Sequence, residues 1–600
     1  MSTKNFVFHR DQRRKVDGGW ESLGVVDNLG GLTYTALLVL KKRYLRKSRN
    51  GQTIETPRMM LQRVAKAVAK AEWTDRLQKL WQEKFFDVMK TLEFWPGTRV
   101  LANAGKERQQ LGNCFVFPIE DSIEDIFRVL YESSVTKKYG GGCGFNFSSL
   151  RPKGDLVGDE PSLAAGPVKI IELFDATTRI FRQQGRYESG NMVVLDADHP
   201  DILDFIAAKE EDGRLMSTNI SVGATDKFMK AVKNDLIWEL RNPRTGEISS
   251  KVRARLIFEL IVKQASQTGD PGMLFLDTIN KFNPLCQGLG PIRATNPCGE
   301  QPLYPYECCN LGYLNLPQFI RQKKGGSSFF DFSRLKEVVK VAVRMLDNTI
   351  DVAWFPVEKI KKMVLSNRRI GLGVVGWADV LARMQTAYDS PEALRLAEKV
   401  MKAISKAAWQ ASYELGAEKG PFPNVKFSKW KGKKRKPRNV ALTTLPPSSS
   451  HGMIFNTSFG IEPFFSLVYK RNAFGGTTQL YKINSLFKER LEELGIYNEE
   501  MIDKVAQNHG SLQGLKGIPP KLRNIFKTAH DINFRDHIKM QSAFQKWVDN
   551  SVTKTINLPA DSTVEDVGSA YMLAWELGCK GITVYRDKSR SSQVIEFGSG

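Results

Sequence analysis

Residues 294–316 read ATNPCGEQPLYPYECCNLGYLNL, and the rest of the chain is best understood outward from them. Asn296, Cys298 and Glu300 recur at every second position, so in an extended segment their side chains share one face. An amide, a thiol and a carboxylate on one face bring hydrogen-bonding groups, a redox-capable sulfur and a general base to one small site. Pro297 stiffens the segment, and Gly299 lets backbone or ligand approach closely. An isolated buried cysteine beside a turn is usually just a small apolar side chain, so the pattern needs support from its surroundings.

Some of that support lies a few residues on. Cys308 and Cys309 are adjacent, so on a strand they point to opposite faces and only one can join the same site. A disulfide between immediate neighbours is strained, which sends the search for a redox partner elsewhere. Cys114, in the strand-like run LGNCFVF, is the natural candidate; three unrelated buried thiols is the alternative. The chain has seven cysteines in 600 residues and no C-x-x-C, which speaks against a disulfide framework or a structural zinc site and for a reducing, cytoplasmic setting.

Before this stretch, TPRMMLQRVAKAVAKAEW (56–73) and DRLQKLWQEKFFDVMKTLEF (75–94) carry apolar residues at helical spacing, and WPGT (95–98) breaks the pattern. From about residue 96, helical segments such as 167–184 and 391–420 alternate with strand-like runs: DLIWELRN, GMLFL, NVALTTL, KTINLP and GITVYR. Alternation of this kind predicts an α/β architecture with parallel strands over 96–590, after a mostly helical region 1–95 and before a short tail 591–600. A composition of 42% hydrophobic and 26% charged residues excludes a disordered, collagenous or coiled-coil chain. The longest apolar stretches, such as ALLVL at 36–40, fall far short of the ~20 residues of a membrane span, and the N-terminus lacks the apolar core of a signal peptide.

The net charge of +23 suits a polyanion or a phosphate-bearing ligand, or simply a well-solvated surface. Two basic runs, KKRYLRKSR (41–49) and KFSKWKGKKRKPR (426–438), could touch nucleic acid or be solvated loops. The second leads into TLPPSSSHGMI (444–454) and could raise the phosphate concentration there. In that segment two prolines precede Ser448, Ser449 and Ser450 at an expected helix start, which suits an anion site or a plain N-cap. KKYGGGCGF (137–145) allows close backbone approach to a ligand or makes a tight turn. GLGVVG (371–376) has the spacing G-x-G-x-x-G but follows a helical, polar stretch, so close helix packing is the preferred reading over a dinucleotide turn.

NPCGEQPLYPYECCNLG, NCFVFPIEDSIEDIF, GGGCGFNFSSLRPKGD, NMVVLDADHPDI, NISVGATDKFM and GCKGITVYRD together resemble ribonucleotide reductase large chains, specifically the adenosylcobalamin-dependent class II enzymes, over about residues 40–590. The resemblance implies a ten-stranded α/β barrel of two parallel five-stranded halves, with a finger loop carrying a radical cysteine, here Cys298, into its centre. It implies that adenosylcobalamin generates a thiyl radical there, which abstracts the substrate 3'-hydrogen. Glu300 would act as base on the 3'-hydroxyl and Asn296 would hold the substrate; Cys114 and Cys309 would supply two reducing equivalents and end as a disulfide. The family's second redox cysteine directly precedes N-L-G, which selects Cys309 and leaves Cys308 as an extra thiol. Asn113 and Gly142 match backbone positions lining the nucleoside pocket, and Pro297 and Gly299 flank the radical cysteine. The family phosphate loop A-P-T-G-T-I-S becomes PPSSSHG, with Pro447, Ser448, Ser449, Ser450 and His451 as substrate-binding candidates.

Tyr585 stands alone in TVYRD where class I large chains have a tyrosine pair, which favours an internal cofactor over a separate radical-generating subunit. The class I large chain and a catalytically idle, basic nucleic-acid-binding paralogue are the alternatives; retention of Cys114, Asn296, Cys298, Glu300 and Cys309 together speaks against the latter. Residues 185–192, GRYESGNM, depart from the effector-loop pattern G-K-R-R-G-A-N-M, placing control by a deoxynucleotide effector in question. Nothing like an ATP cone precedes residue 40, and the sequence stops at Gly600 without the cysteine pair of many class II tails. The expected partners are a ribonucleoside di- or triphosphate, more readily the diphosphate, a thioredoxin-like or other external dithiol, and a second copy in a homodimer, with no membrane.

Overall fold

The computed structural model describes residues 28–159, 164–181, 190–211, 213–323, 326–473, 478–587, 589 and 595–596. Residues 185–189, where the effector loop was expected to differ, lie outside the described residues, as do 1–27 and most of the tail after 587.

Thr33, Thr56 and Thr74 each accept a hydrogen bond from the backbone amide three residues on and so start the helices Tyr34–Arg43, Pro57–Ala69 and Asp75–Lys90. The second buries Met60, Leu61, Val64 and Val68 along one stripe, and the third buries Phe85, Val88 and Met89. The second and third pack beside the long helix Phe332–Val352, where Glu72 meets Arg344 at 2.7 Å and Lys419 at 3.1 Å in a buried ion cluster, and the first packs on the helix Ser449–Phe455.

Five strands follow in parallel: β1 Cys114–Phe117, β2 Gly142–Asn146, β3 Asn191–Asp196, β4 Thr218–Ala224 and β5 Gly272–Phe275. The second half holds β6 Leu311–Asn315 parallel to β7 Gly371–Val375, then the extended segment 443–445, then β8 Thr555–Leu558 parallel to β9 Gly581–Arg586. Parallel bridges Leu372–Thr443 and Leu445–Val552 tie the middle segment to its neighbours. Antiparallel contacts close both seams, Gly581 with Leu274 on one side and Phe115 with Cys308 on the other. The ten extended segments thus form a closed barrel of two parallel halves running in opposite directions. Strands such as NMVVLD are buried throughout because helices cover the outside and the finger loop fills the inside.

Three expectations are corrected. DLIWELRN is not a barrel strand: Ile237–Arg241 pairs antiparallel with Ile248–Arg253 in a hairpin outside the barrel. GLGVVG is β7 rather than a helix-packing motif, because a short, fully buried strand carries no periodicity to tell it from a helix. A Cβ on Gly371 would lie 2.2 Å from Gln301 Nε2, so this glycine admits the finger loop. Lastly, the basic run 426–438 does not adjoin the 446–452 loop. The segment 439–445 lies between them and forms part of the barrel wall, with Thr443 bridging Leu372 and Leu445 bridging Val552. The run packs on residues 284–288 instead, with Lys429 N donating to Pro284 O at 3.1 Å, and Trp430 is buried. Among the described residues no helix is long and apolar enough to cross a membrane.

Candidate active site

Ala294–Thr295 pairs antiparallel with Pro302–Leu303, and the tip between them, 296–301, projects into the barrel. The stem passes so close to β2 that a Cβ on Gly144 would lie 1.8 Å from the Thr295 carbonyl oxygen. At the tip, Gln301 N donates to Asn296 Oδ1 at 3.0 Å and Gly299 N to Asn296 O at 3.0 Å, with Gly299 at φ +80. Asn296 and Glu300 are buried, whereas Cys298 presents its surface to an internal cavity of about 640 Å³. Pro297, Gly299, Pro447, Phe459 and Phe464 also line that cavity. Its size falls in the ordinary range for small-molecule sites.

Cys309 N donates to Cys114 O at 2.8 Å, and Cys114 N donates to Cys309 Sγ at 3.0 Å, so these two residues meet across the seam between β1 and the run into β6. Cys308 points the other way, toward Gly112. Strand alternation leaves one thiol of the pair on each side, and the tertiary structure shows which one faces Cys114. Asn113 N donates to Cys309 O at 2.9 Å, and Gly142 lies against Pro297 and Cys114.

Burial is the dominant influence on the titrating groups. It pushes Glu300 up to about 7, partly offset by polar contacts from Asn296, its own backbone and Thr553. Burial first, then the Glu300 charge, drives the Cys298 thiol well above its ordinary value; burial and Cys114 do the same to Cys309. Both sulfurs therefore keep their hydrogen at neutral pH. A thiol that retains its S–H bond suits hydrogen-atom transfer better than nucleophilic attack, which needs the thiolate.

At the opposite wall, Ser448 precedes the short helix Ser449–Phe455. Its Oγ is buried without a hydrogen-bond partner, while Ser449 is exposed. Ser450 Oγ already accepts a 2.6 Å hydrogen bond from Arg43, so it is the first basic run that reaches this loop. The His451 side chain is turned inward. Its ring stacks on Tyr313 at 4.0 Å, Nε2 lies 3.0 Å from Pro96 O, and burial lowers it to about 4, so it is neutral and only its backbone is offered to a ligand.

Several residues at the site escaped the sequence reading: Tyr313, which donates to Pro447 O at 3.0 Å; Thr444, which donates to Glu300 O at 2.8 Å; Asn219; and Thr553. The alternation in SVTKTINLP was the one available signal for Thr553, and nothing local marked the others.

Residues 112–585 match the family model for the ribonucleotide reductase barrel domain, and residues 30–109 match that for the ribonucleotide reductase all-alpha domain. A vitamin B12-dependent ribonucleoside-diphosphate reductase of Thermoplasma acidophilum is 41% identical, covering 99% of this chain and 84% of the relative. A protein of the same description from Mycobacterium tuberculosis is 40% identical over 99% of this chain and 83% of its own length. Among solved structures, a class Id ribonucleotide reductase alpha subunit of Actinobacillus ureae superposes with a TM-score of 0.75 at 23% identity, covering 92% of this chain and 96% of that one, a likeness of fold.

Proposed function

Because this chain belongs to the ribonucleotide reductase family, within its vitamin B12-dependent branch, we propose that the finger-loop site reduces ribonucleoside diphosphates with Cys298 as the radical-bearing thiol. The observation that carries this reading is Cys298 facing the cavity from the finger tip, with Asn296 and Glu300 buried beside it in the same loop and Cys114 meeting Cys309 across the seam next to Gly142 and Pro297. The overall reaction is reduction of a ribonucleotide to the 2'-deoxyribonucleotide.

Adenosylcobalamin, when bound, supplies the one-electron chemistry that removes the hydrogen atom from the Cys298 sulfur. The residues present fit such a group. The cavity continues past Cys298 to Phe464, Phe465, Asn484 and Tyr585, and its wall carries two buried polar atoms without partners, Thr457 Oγ1 and Gln541 Oε1. Cys298 then takes the substrate 3'-hydrogen, and Glu300, as carboxylate, accepts the 3'-hydroxyl proton. Asn296 Nδ2 is buried with only its polar contact to Glu300, and it is the donor that would turn to a substrate hydroxyl. The 2'-hydroxyl leaves as water, protonated from the cysteine pair. Cys114 and Cys309 give up two electrons and two protons and form one disulfide, one proton leaving in the water and the other going with the electrons to C2', while Glu300 returns its proton to the 3'-oxygen and Cys298 returns the hydrogen to C3'.

The substrate phosphates are assigned to the 447–451 loop through Ser448, Ser449 and local backbone, with Arg43 behind Ser450. An external dithiol, thioredoxin-like in its chemistry, resets the disulfide. The buried thiols suit a reducing, cytoplasmic compartment. An unpartnered apolar stripe of Ile123, Phe127 and Tyr131 on the helix Ile123–Lys138 supports a homodimer, which light scattering reads directly.

The experiment is deoxynucleotide formation by the purified protein with adenosylcobalamin, a dithiol and each ribonucleoside di- or triphosphate. The expected result is cofactor-dependent product, greatest with diphosphates, lost in Cys298→Ala and Cys309→Ser and kept in Cys308→Ser. No product with cofactor present, or equal loss from the two neighbouring cysteines, overturns these assignments.

A further inference from the structure

The two peptide carbonyls that flank the Cys298 Cα are each held by a side chain, and the two side chains come from different halves of the barrel. Asn219, on β4 of the first half, donates through Nδ2 to Pro297 O at 3.0 Å. Thr553, just before β8 of the second half, donates through Oγ1 to Cys298 O at 2.5 Å. Both donors are themselves anchored. Met192 and Asn219 are paired in the parallel register of β3 and β4, and Thr553 N donates to Leu445 O at 2.8 Å. Thr553 Oγ1 also lies 3.4 Å from Glu300 Oε2, while Ser551 N and Thr444 Oγ1 each hold the Glu300 carbonyl at 2.8 Å. Both Asn219 and Thr553 line the same cavity as Cys298.

We infer that Asn219 and Thr553 are positioning residues for the hydrogen-atom transfer at Cys298, one from each barrel half, clamping the backbone on both sides of the radical cysteine and, through Thr553, setting the Glu300 carboxylate beside it. This assignment rests on the reductase reading given above. The physical need is plain. Hydrogen-atom transfer requires the sulfur to sit in reach of two different partners in turn, and the sulfur hangs on a loop whose own hydrogen bonds, Gly299 N to Asn296 O and Gln301 N to Asn296 Oδ1, fix its internal shape and not its place in the barrel. A displacement of ~1 Å costs about a hundredfold in rate. Holding the loop by the carbonyls on either side of Cys298 also leaves the Cys298 side chain itself facing the cavity.

The test compares full-length wild type with Thr553→Val, Thr553→Ser and Asn219→Leu, each checked for an unchanged melting profile. Turnover is measured with adenosylcobalamin, dithiol and ribonucleoside diphosphate from pH 5.5 to 9, and nucleotide Kd by equilibrium dialysis. In parallel, the iodoacetamide alkylation rate of Cys298 is followed by mass spectrometry against Cys286 as internal reference. The clamp predicts that Thr553→Val and Asn219→Leu lose about 10- to 100-fold in kcat, with Kd within about threefold. Both should alkylate Cys298 at least about threefold faster, while Thr553→Ser stays close to wild type. Only Thr553→Val should move the acidic limb of the kcat/KM profile to higher pH, since Asn219 does not touch Glu300. Wild-type alkylation rates in both variants, or a Thr553→Ser enzyme as poor as Thr553→Val, overturn the clamp. A wild-type protein that makes no deoxynucleotide counts against the reductase reading, and the alkylation rates still decide the clamp.

Discussion

Glu300 shows how one residue's surroundings choose its chemistry. An exposed glutamate is ionised at neutral pH and a poor base, whereas burial raises this one to about 7, where it can both hold and release a proton. Below that value the fraction of carboxylate falls tenfold per pH unit, so kcat/KM should rise with pH along an acidic limb near 7. A limb near the ordinary 4.5 would contradict the assignment. The stability effect runs the other way. A carboxyl whose folded pKa is raised binds its proton more tightly folded than unfolded, so stability falls as pH rises from 4.5 to 7. Glu300→Gln should therefore abolish turnover at every pH while melting no lower than wild type at pH 8, as a paired pH-rate and melting series reads out. The residue types and their spacing at 296, 298 and 300 were legible in the sequence. The proton affinity was not, because desolvation is supplied by residues far away in the chain.

At the scale of elements, the finger loop works only because the barrel leaves room for it. Its stem crosses β2 where a Cβ on Gly144 would lie 1.8 Å from Thr295 O, and its tip passes Gly371 on β7. Gly144→Ala must push the stem aside. We expect at least about a hundredfold loss of kcat together with a lower melting temperature. Gly190→Ala, whose added Cβ meets Pro297 at an ordinary 3.8 Å, should stay within about threefold. Equal activity of the two variants would show that the stem tolerates displacement. The glycine runs were visible in the sequence as places of close approach, and GGGCGF was read as approach to a ligand or a turn. Its neighbour proved to be another part of the same chain, which a local reading has no means to name.

Across the whole molecule, the helical N-terminal region is joined to the barrel by charges as well as apolar packing. Glu72 is buried and takes hydrogen bonds from Arg344 at 2.7 and 2.8 Å, from Asn348 at 2.7 Å and from Lys419 at 3.1 Å. Removing Arg344 leaves that carboxylate with only part of its compensation, at a cost of about 3 kcal/mol. Glu418, the outer partner of Arg344, is 42% exposed, and its loss should cost under about 1 kcal/mol. Hydrogen exchange of the Pro57–Ala69 amides separates the cases: Arg344→Ala should lose protection and Glu418→Gln should keep it. Comparable protection in both would remove the cluster from the list of things that hold the region in place. The same region carries Arg43 to Ser450, so loosening it also reaches the loop proposed for the substrate phosphates.

The sequence by itself determined the α/β class, the helices 57–69 and 75–90, the alternating Asn296, Cys298 and Glu300, and a family resemblance strong enough to assign the chemistry. Each of these depends on neighbours within a few residues or on whole blocks of motif. The family motif had already selected Cys309 over Cys308; only the tertiary structure decided that its sulfur lies 3.0 Å from Cys114 N, that His451 stacks on Tyr313 and stays neutral, and that the basic run 426–438 packs on residues 284–288. It alone brought Asn219 and Thr553, 334 residues apart, to consecutive carbonyls of the finger tip. The physical reason is the same in each case. Desolvation, hydrogen-bond partnership and screening depend on distance in space, and a closed barrel makes neighbours of segments that no local pattern relates.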